Sequence, residues 1–287
     1  MGSELVKVKS GIDLAAYLLL PILMLLCVFM LFPVCRIFLM SFFDPGFTTH
    51  HYAEIFQGDV YLQVFLRTSI VALLVSVCCL ILGYPVAYLL ADVPPKTARI
   101  LLILVILPMW IGILVRTYAW MVLLGRHGFL NKTLMYFDLI AEPIKVLFTS
   151  KAVVLAMVQI LLPLMILPLY ANMKGIDRNL LKASRILGAG AWRTFFHVFL
   201  PLSSPGIMAG FTLVFIISIG FFITPALVGG RKDIMIAMLI ESQITRLLNW
   251  GFAAALALIL MIVTLLILWG FNRFIGIDKL ISSMNPR

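Results

Sequence analysis

The sequence predicts an all-α integral membrane protein with six transmembrane helices, and three observations carry the prediction. Hydrophobic residues fill 63% of the 287 positions and charged residues only 12%, a balance foreign to soluble domains. Six mainly apolar runs lie near residues 14–40, 66–91, 99–124, 152–172, 206–228 and 252–275. Each approaches the roughly 20 residues that a helix needs to cross a bilayer core of about 30 Å. Stretches such as 70–82 and 253–268 are apolar throughout except for one hydroxyl residue each, Ser76 and Thr264, whereas the strands of a membrane barrel alternate in short segments. The expected organisation is one transmembrane domain over residues 1–287.

The first run follows a polar segment holding Lys7 and Lys9. It is too long for a signal peptide and lacks a small-x-small cleavage site before a soluble domain, so it reads as a retained first helix. Prolines punctuate the spans or their edges at Pro21, Pro33, Pro85, Pro108, Pro163, Pro168 and Pro225, each removing a backbone donor and permitting a kink. The third run contains the clearest intramembrane charge, Arg116. Such a group either faces the bundle interior or an aqueous path, or snorkels to the interface beside Tyr118 and Trp120 as belt aromatics. Trp110 and Trp120 are ten residues apart, almost three helical turns, which places them on related faces of one helix. There they can stack on a cationic cargo or simply pack helices.

The formal net charge of +10 is spread over loops instead of forming a tract with interleaved aromatics, which argues against nucleic-acid binding and for membrane topology and anionic lipid headgroups. Basic residues cluster at Lys7 and Lys9, at Lys96 and Arg99, at Lys174, Arg178, Lys182, Arg185 and Arg193, and at Arg273, Lys279 and Arg287. The positive-inside bias then puts both termini and the even-numbered loops in the cytoplasm. Arg126, Lys132, Lys145, Lys151, Arg231, Lys232 and Arg246 fall in loops assigned to the other side, so the bias is not clean.

Little in the chain suits catalysis. No GxxxxGK[ST] loop is present, so ATP is not bound by that route and nucleotide energy must come from another subunit. His50, His51, His127 and His197 fall in predicted loops without metal-binding spacing, and Cys27, Cys35, Cys78 and Cys79 read as small apolar residues within spans. An ion-coupled secondary transporter or channel is the main alternative class; it calls for inverted repeats and buried coupling residues, and neither is evident. A membrane-embedded enzyme calls for clustered His, Asp or Glu, which are dispersed here.

The most informative stretch is 181–207, LKASRILGAGAWRTFFHVFLPLSSPGI, a basic interruption between the fourth and fifth runs. Across the loop 173–205, five basic residues mix with Leu180, Leu181, Ile186, Leu187, Trp192, Phe195, Phe196 and Val198, the pattern of an amphipathic helix pair. Asp177 or Asn179 can cap the first helix, and Gly188 and Gly190 permit a reversal before a second over 191–199. Pro201 and Pro205 then bound the entry to the fifth span.

This segment resembles the EAA loop of ABC-importer permeases, whose pattern is E-A-A, three residues, G, nine residues, then I-x-L-P. Lys182, Ala183 and Ser184 stand at the E-A-A positions, Gly188 at the glycine, Val198 at the isoleucine, and Leu200 and Pro201 at the closing pair. Spacing matches throughout, while Lys182 reverses the charge of the first position. GYPVAYLLA at 83–91, LPMWIGILVRTYAW at 107–120, LLPLMILPLY at 161–170 and LPLSSPGIMAG at 200–210 extend the resemblance to the spermidine/putrescine-type subfamily of binding-protein-dependent permeases.

The resemblance implies a type I importer permease fold in a bacterial inner membrane, with a cytoplasmic coupling helix between helices 4 and 5. It implies a second six-helix permease, two ATP-binding subunits that hold ATP and Mg, and a periplasmic or lipid-anchored binding protein, with no cofactor on this chain. Lys182, Ala183, Ser184, Leu187, Gly188, Trp192, Leu200 and Pro201 are the expected ATPase-coupling residues. Tyr52, Trp110, Arg116 and Trp120 are the expected substrate-pathway residues, and a polyamine or related cationic or amino-acid-like compound is the expected cargo.

Overall fold

The computed structural model describes residues 2–43 and 46–275, with side chains described over 19–43 and 46–270; Lys279 and Arg287 lie outside the described residues, as do the side chains of Lys7, Lys9 and Arg273. In chain order the helices are α1 (Gly2–Phe42), α2 (His50–Gln57), α3 (Asp59–Asp92), α4 (Pro95–Ile106), α5 (Ile113–Leu124), α6 (Phe129–Tyr136), α7 (Ser150–Lys174), α8 (Arg178–Ile186), α9 (Ala191–Thr194), α10 (Leu200–Ile219), α11 (Ile223–Val228), α12 (Ile236–Thr245) and α13 (Trp250–Ile275). Extended pairing among the described residues is confined to a bridge between Phe43 and Phe47. The fold is all-α, as predicted: with no water to serve exposed backbone groups in a bilayer, long apolar runs satisfy them within helices.

The described residues form two compact units, one within 2–57 and 240–259, the other within 58–239 and 260–275. In the first, α2 folds back on the end of α1. The Tyr52 ring stacks on Phe42 with centroids 5.0 Å apart, and its hydroxyl shares a 2.7 Å hydrogen bond with Ser41 Oγ. His50 and His51 therefore open a helix instead of lying in a loop, and the His51 ring meets Phe252 edge-on at 6.0 Å.

The second unit is built around α3, α7 and α10. Their shared core holds Val75, Cys79 and Leu90 from α3, Met157, Met165 and Leu169 from α7, and Val214 from α10. Between helices in lipid no hydrophobic gain drives association, so close van der Waals packing through small residues does the work. Gly206 and Gly210 of α10 supply it in a small-xxx-small spacing. A β-carbon at Gly206 would stand 2.7 Å from Asn172 Cβ; at Gly210 it would stand 2.7 Å from Met165 Sδ and 3.1 Å from the Met165 carbonyl oxygen. Buried polar groups pair within the same unit: Tyr84 with Ser203 at 2.9 Å, Thr117 with Thr224 at 3.0 Å, and Thr68 Oγ1 accepting from the Ile236 N–H at 3.0 Å.

Three boundaries differ from the sequence expectation. The third run is not one straight helix: Pro95–Trp110 and Ile113–Tyr136 meet at 91°. Pro108 opens a 3-10 turn over Leu107–Trp110, Ile111 is extended and Gly112 starts the next helix, so the ladder is interrupted where proline withholds a donor. Trp110 and Trp120 thus lie on either side of the bend, not on one helix. The fifth run stops at Ile219, and α11 follows after a turn at Gly220. At its other end Pro201 and Pro205 do not bound the span, because one continuous helical span runs Ala191–Ile219. A π turn over Phe195–Phe199 explains the continuity: widening the turn just before Pro201 accommodates a ring that would press on the carbonyl four residues back.

Cys27 and Cys35 are exposed in the first unit, while Cys79 is buried and directs its thiol to the Val158 carbonyl at 3.6 Å. All four cysteines are free.

Candidate functional site: the segment joining α7 to α10

The chain leaves α7 at Gly175 and starts α8 with Asp177 as N-cap, its carboxylate accepting from the Asn179 N–H at 2.9 Å. Of the two caps proposed from sequence, Asp177 is the one used. At the other end Ala189 N–H donates to Ser184 O at 3.1 Å and Gly188 N–H to Arg185 O at 3.0 Å. This pair is a Schellman stop, and it requires a left-handed residue. Gly188 supplies it with φ of 86°. Gly190 then precedes α9 in extended conformation.

The reversal sets α8 against the helix that begins at Ala191. Ser184 Oγ and the buried Thr194 Oγ1 share a 3.1 Å hydrogen bond across the two. Below them, Phe195 and Phe199 pack edge-on against α3 through Tyr84 and Tyr88, with centroids 5.0–6.4 Å apart. Arg178, the first residue of α8, reaches the end of α3, donating to Asp92 Oδ1 and to the Ala91 carbonyl, both at 2.8 Å.

The angle between the helices leaves a notch of about 740 Å³, lined by Ala183, Ser184, Leu187, Gly188 and Pro201, with Arg193 and His197 on its wall. Five of the eight coupling residues expected from sequence therefore converge on one concavity. Lys182 is exposed on α8, Leu200 is half-buried where α10 begins, and Trp192 stands outside the notch, stacked on Phe196 at 5.9 Å. Leu187 is 87% exposed, its neighbour Ile186 85% and Trp192 78%, so large apolar groups project from a surface otherwise rich in Lys and Arg.

The expected pathway residues lie on different elements of the chain: Trp110 at the bend of the third run, Arg116 and Trp120 on α5, and Tyr52 on α2. Trp110 is 87% exposed at the bend of the third run. Trp120 donates its indole N–H to Gln159 Oε1 at 3.2 Å, tying α5 to α7. Arg116 lies one turn earlier on α5, its Nη1 3.5 Å from the Ile160 carbonyl and its Nε buried without a partner. Tyr52 belongs to the other compact unit, in its clasp with Ser41 and Phe42. Sequence reading missed the Arg178 bridge and the Tyr84–Ser203 pair. No local signal marks either, since their partners are 86 and 119 positions away.

Comparison with known proteins puts these features in a family. The chain is 38% identical over 239 residues to the spermidine/putrescine transport system permease protein PotB of Escherichia coli K12, covering 82% of this chain and 86% of that one. It is 33% identical over 250 residues to the inner membrane ABC transporter permease protein YdcU of the same organism, covering 82% and 79%. Its fold is similar to a chain in the crystal structure of a bacterial alginate ABC transporter in complex with alginate pentasaccharide-bound periplasmic protein. The TM-score there is 0.75 at 17% identity, over 93% of this chain and 95% of that one. Residues 80–274 match the family described as binding-protein-dependent transport system inner membrane component, so the chain belongs to that family, as a multi-pass inner-membrane transport subunit with the fold of ABC importer permeases.

Proposed function

We propose that the chain forms half of the cargo pathway of an ATP-driven importer and couples it to two cytosolic ATPases through residues 177–201. A second six-helix permease, a different chain, completes the pathway, and a periplasmic or lipid-anchored binding protein delivers the cargo. ATP and Mg sit in the ATPases, and both termini of this chain face the cytoplasm. The observation that carries the reading is the exposed pair Leu187 and Trp192 beside a notch, on a braced helix pair joining two packed spans. Large apolar anchors at the centre of a patch are what protein interfaces use.

In this reading, ATP-driven closure of the ATPase pair moves α8 and α9 as a lever. Continuity of the helix over Ala191–Ile219 carries that motion into α10. The spans then exchange between inward-open and outward-open packings, with no chemistry performed by this chain.

The cargo we propose is a polyamine or a related cationic or amino-acid-like compound, because the relative with 38% identity is a spermidine/putrescine permease by name. Trp110 and Trp120 offer aromatic faces for a cation, with Tyr52 and Arg116 as further pathway residues. Few acids lie within the spans, so recognition of positive charge falls to the sister permease or the binding protein.

Copurification of the membrane complex tests the assembly, and ATP hydrolysis on adding binding protein loaded with spermidine tests the cargo. Recovery of an ATPase and a second permease with several-fold stimulation is expected. A chain that purifies alone and moves solute by an ion gradient overturns the importer reading; a complex stimulated only by other loaded cargo overturns the polyamine assignment.

A further inference from the structure

The proposed lever is joined in sequence to α7 and α10 only. Helix α3 has no covalent link to it, yet α3 carries much of the shared core with both. Among the described residues, the polar tie between α3 and α8 is made by Arg178. The guanidinium Nη1 donates to Asp92 Oδ1 and Nη2 to the Ala91 carbonyl, each at 2.8 Å.

Both acceptors are the final residues of α3. The last four carbonyls of a helix lack intrahelical donors, and the C-terminus carries the negative end of the helix dipole, so a cation is favoured there. One planar fork answers a carboxylate and a carbonyl together, which fixes direction as well as distance. At 38% and 60% side-chain exposure the ion pair adds little to stability, because water screens it. Orientation is what two bonds from one rigid group supply.

A second tie lies further along α3, where Tyr84 bonds Ser203 of α10 at 2.9 Å. Helix α3 is thereby held to the lever at α8 through Arg178 and to the span that follows the lever, α10, through Tyr84. We propose that Arg178 is a positioning residue that clamps the coupling helix to the end of α3 and makes α3 a helix driven by the ATPases. The proposal rests on the importer reading and adds a residue that the EAA-type pattern, which begins at Lys182, does not include.

Spin labels at Arg185→Cys on α8 and Leu89→Cys on α3, in a chain lacking its four native cysteines, test the clamp in the complete complex. Distances are read without nucleotide and after trapping with MgATP and vanadate, so no cargo is needed. With Arg178 present, one narrow distance is expected in both states. Arg178→Met should broaden it and shift it between states, and Arg178→Lys, which lacks the fork, should fall in between. Stimulation of hydrolysis by spermidine-loaded binding protein should drop roughly fivefold relative to the unstimulated rate in Arg178→Met. A merely structural defect would lower both rates together.

Should Arg178→Met fail to assemble, Asp92→Asn probes the same clamp from the α3 side, with partial broadening expected. An unchanged narrow distance in Arg178→Met, or in Asp92→Asn and Arg178→Lys together, overturns the clamp. Failure of the unsubstituted chain to bind any ATPase overturns the importer reading instead.

Discussion

Two glycines, one on either side of Pro201 and Pro205, behave in opposite ways. A β-carbon at Gly210, in the α3–α7–α10 core, would collide with Met165, whereas one at Gly188, in the coupling segment, meets nothing within 4 Å. Gly210 is needed for space and Gly188 for backbone freedom, its φ being 86°. The same contrast extends to their surroundings: Met165 and Val214 are fully buried, while Leu187 and Trp192 are largely exposed. The core has used its packing capacity internally, and the coupling segment has left its own for a partner.

Substitutions can break this contrast, beginning with the core. Gly210→Leu must displace the Met165 backbone as well as its sulfur, so overpacking should cost about 3 kcal/mol, at the upper end of the usual range. Thermal unfolding in detergent and the yield of monodisperse protein read this out, and a stable, normally folded variant would show that the helices have room to part.

Leu187→Asp should do the reverse, leaving the fold intact and removing an interface anchor. A loss of about 2 kcal/mol weakens retention of the ATPase roughly thirtyfold, measured by copurification against unchanged permease yield. Full retention would mean that the exposed leucine is not part of the joint.

The smallest effect belongs to Gly188→Val, which meets no atoms but strains the left-handed turn by about 1–2 kcal/mol. We expect normal insertion and assembly with weakened stimulation of hydrolysis, and Gly188→Asn close to the unsubstituted chain because asparagine tolerates this conformation. Equal behaviour of Val and Asn would place the importance of Gly188 elsewhere than in its φ.

Much of the coupling segment was legible because its signals are local. The Asp177 cap, the Gly188 stop and the spacing from Lys182 to Pro201 each depend on neighbours a few residues away. The bend in the third run was less so: Pro108 and Gly112 mark a weak point, but the same residues occur in helices that only kink. Pro201 misled in the opposite direction. A proline after a short amphipathic helix reads as a boundary, yet a π turn carries the helix through it.

From the sequence alone come the membrane class, the apolar runs, the reversal at Gly188 and the family resemblance, since hydropathy, capping and motif spacing are properties of contiguous residues. Tertiary structure alone decided which polar groups meet: Arg178 with Asp92, Tyr84 with Ser203, Thr117 with Thr224 and Trp120 with Gln159. Such pairs are set by how close two helices approach and how each is rotated about its axis. Those quantities follow from packing small residues such as Gly206 and Gly210 against a neighbour that the local sequence does not name.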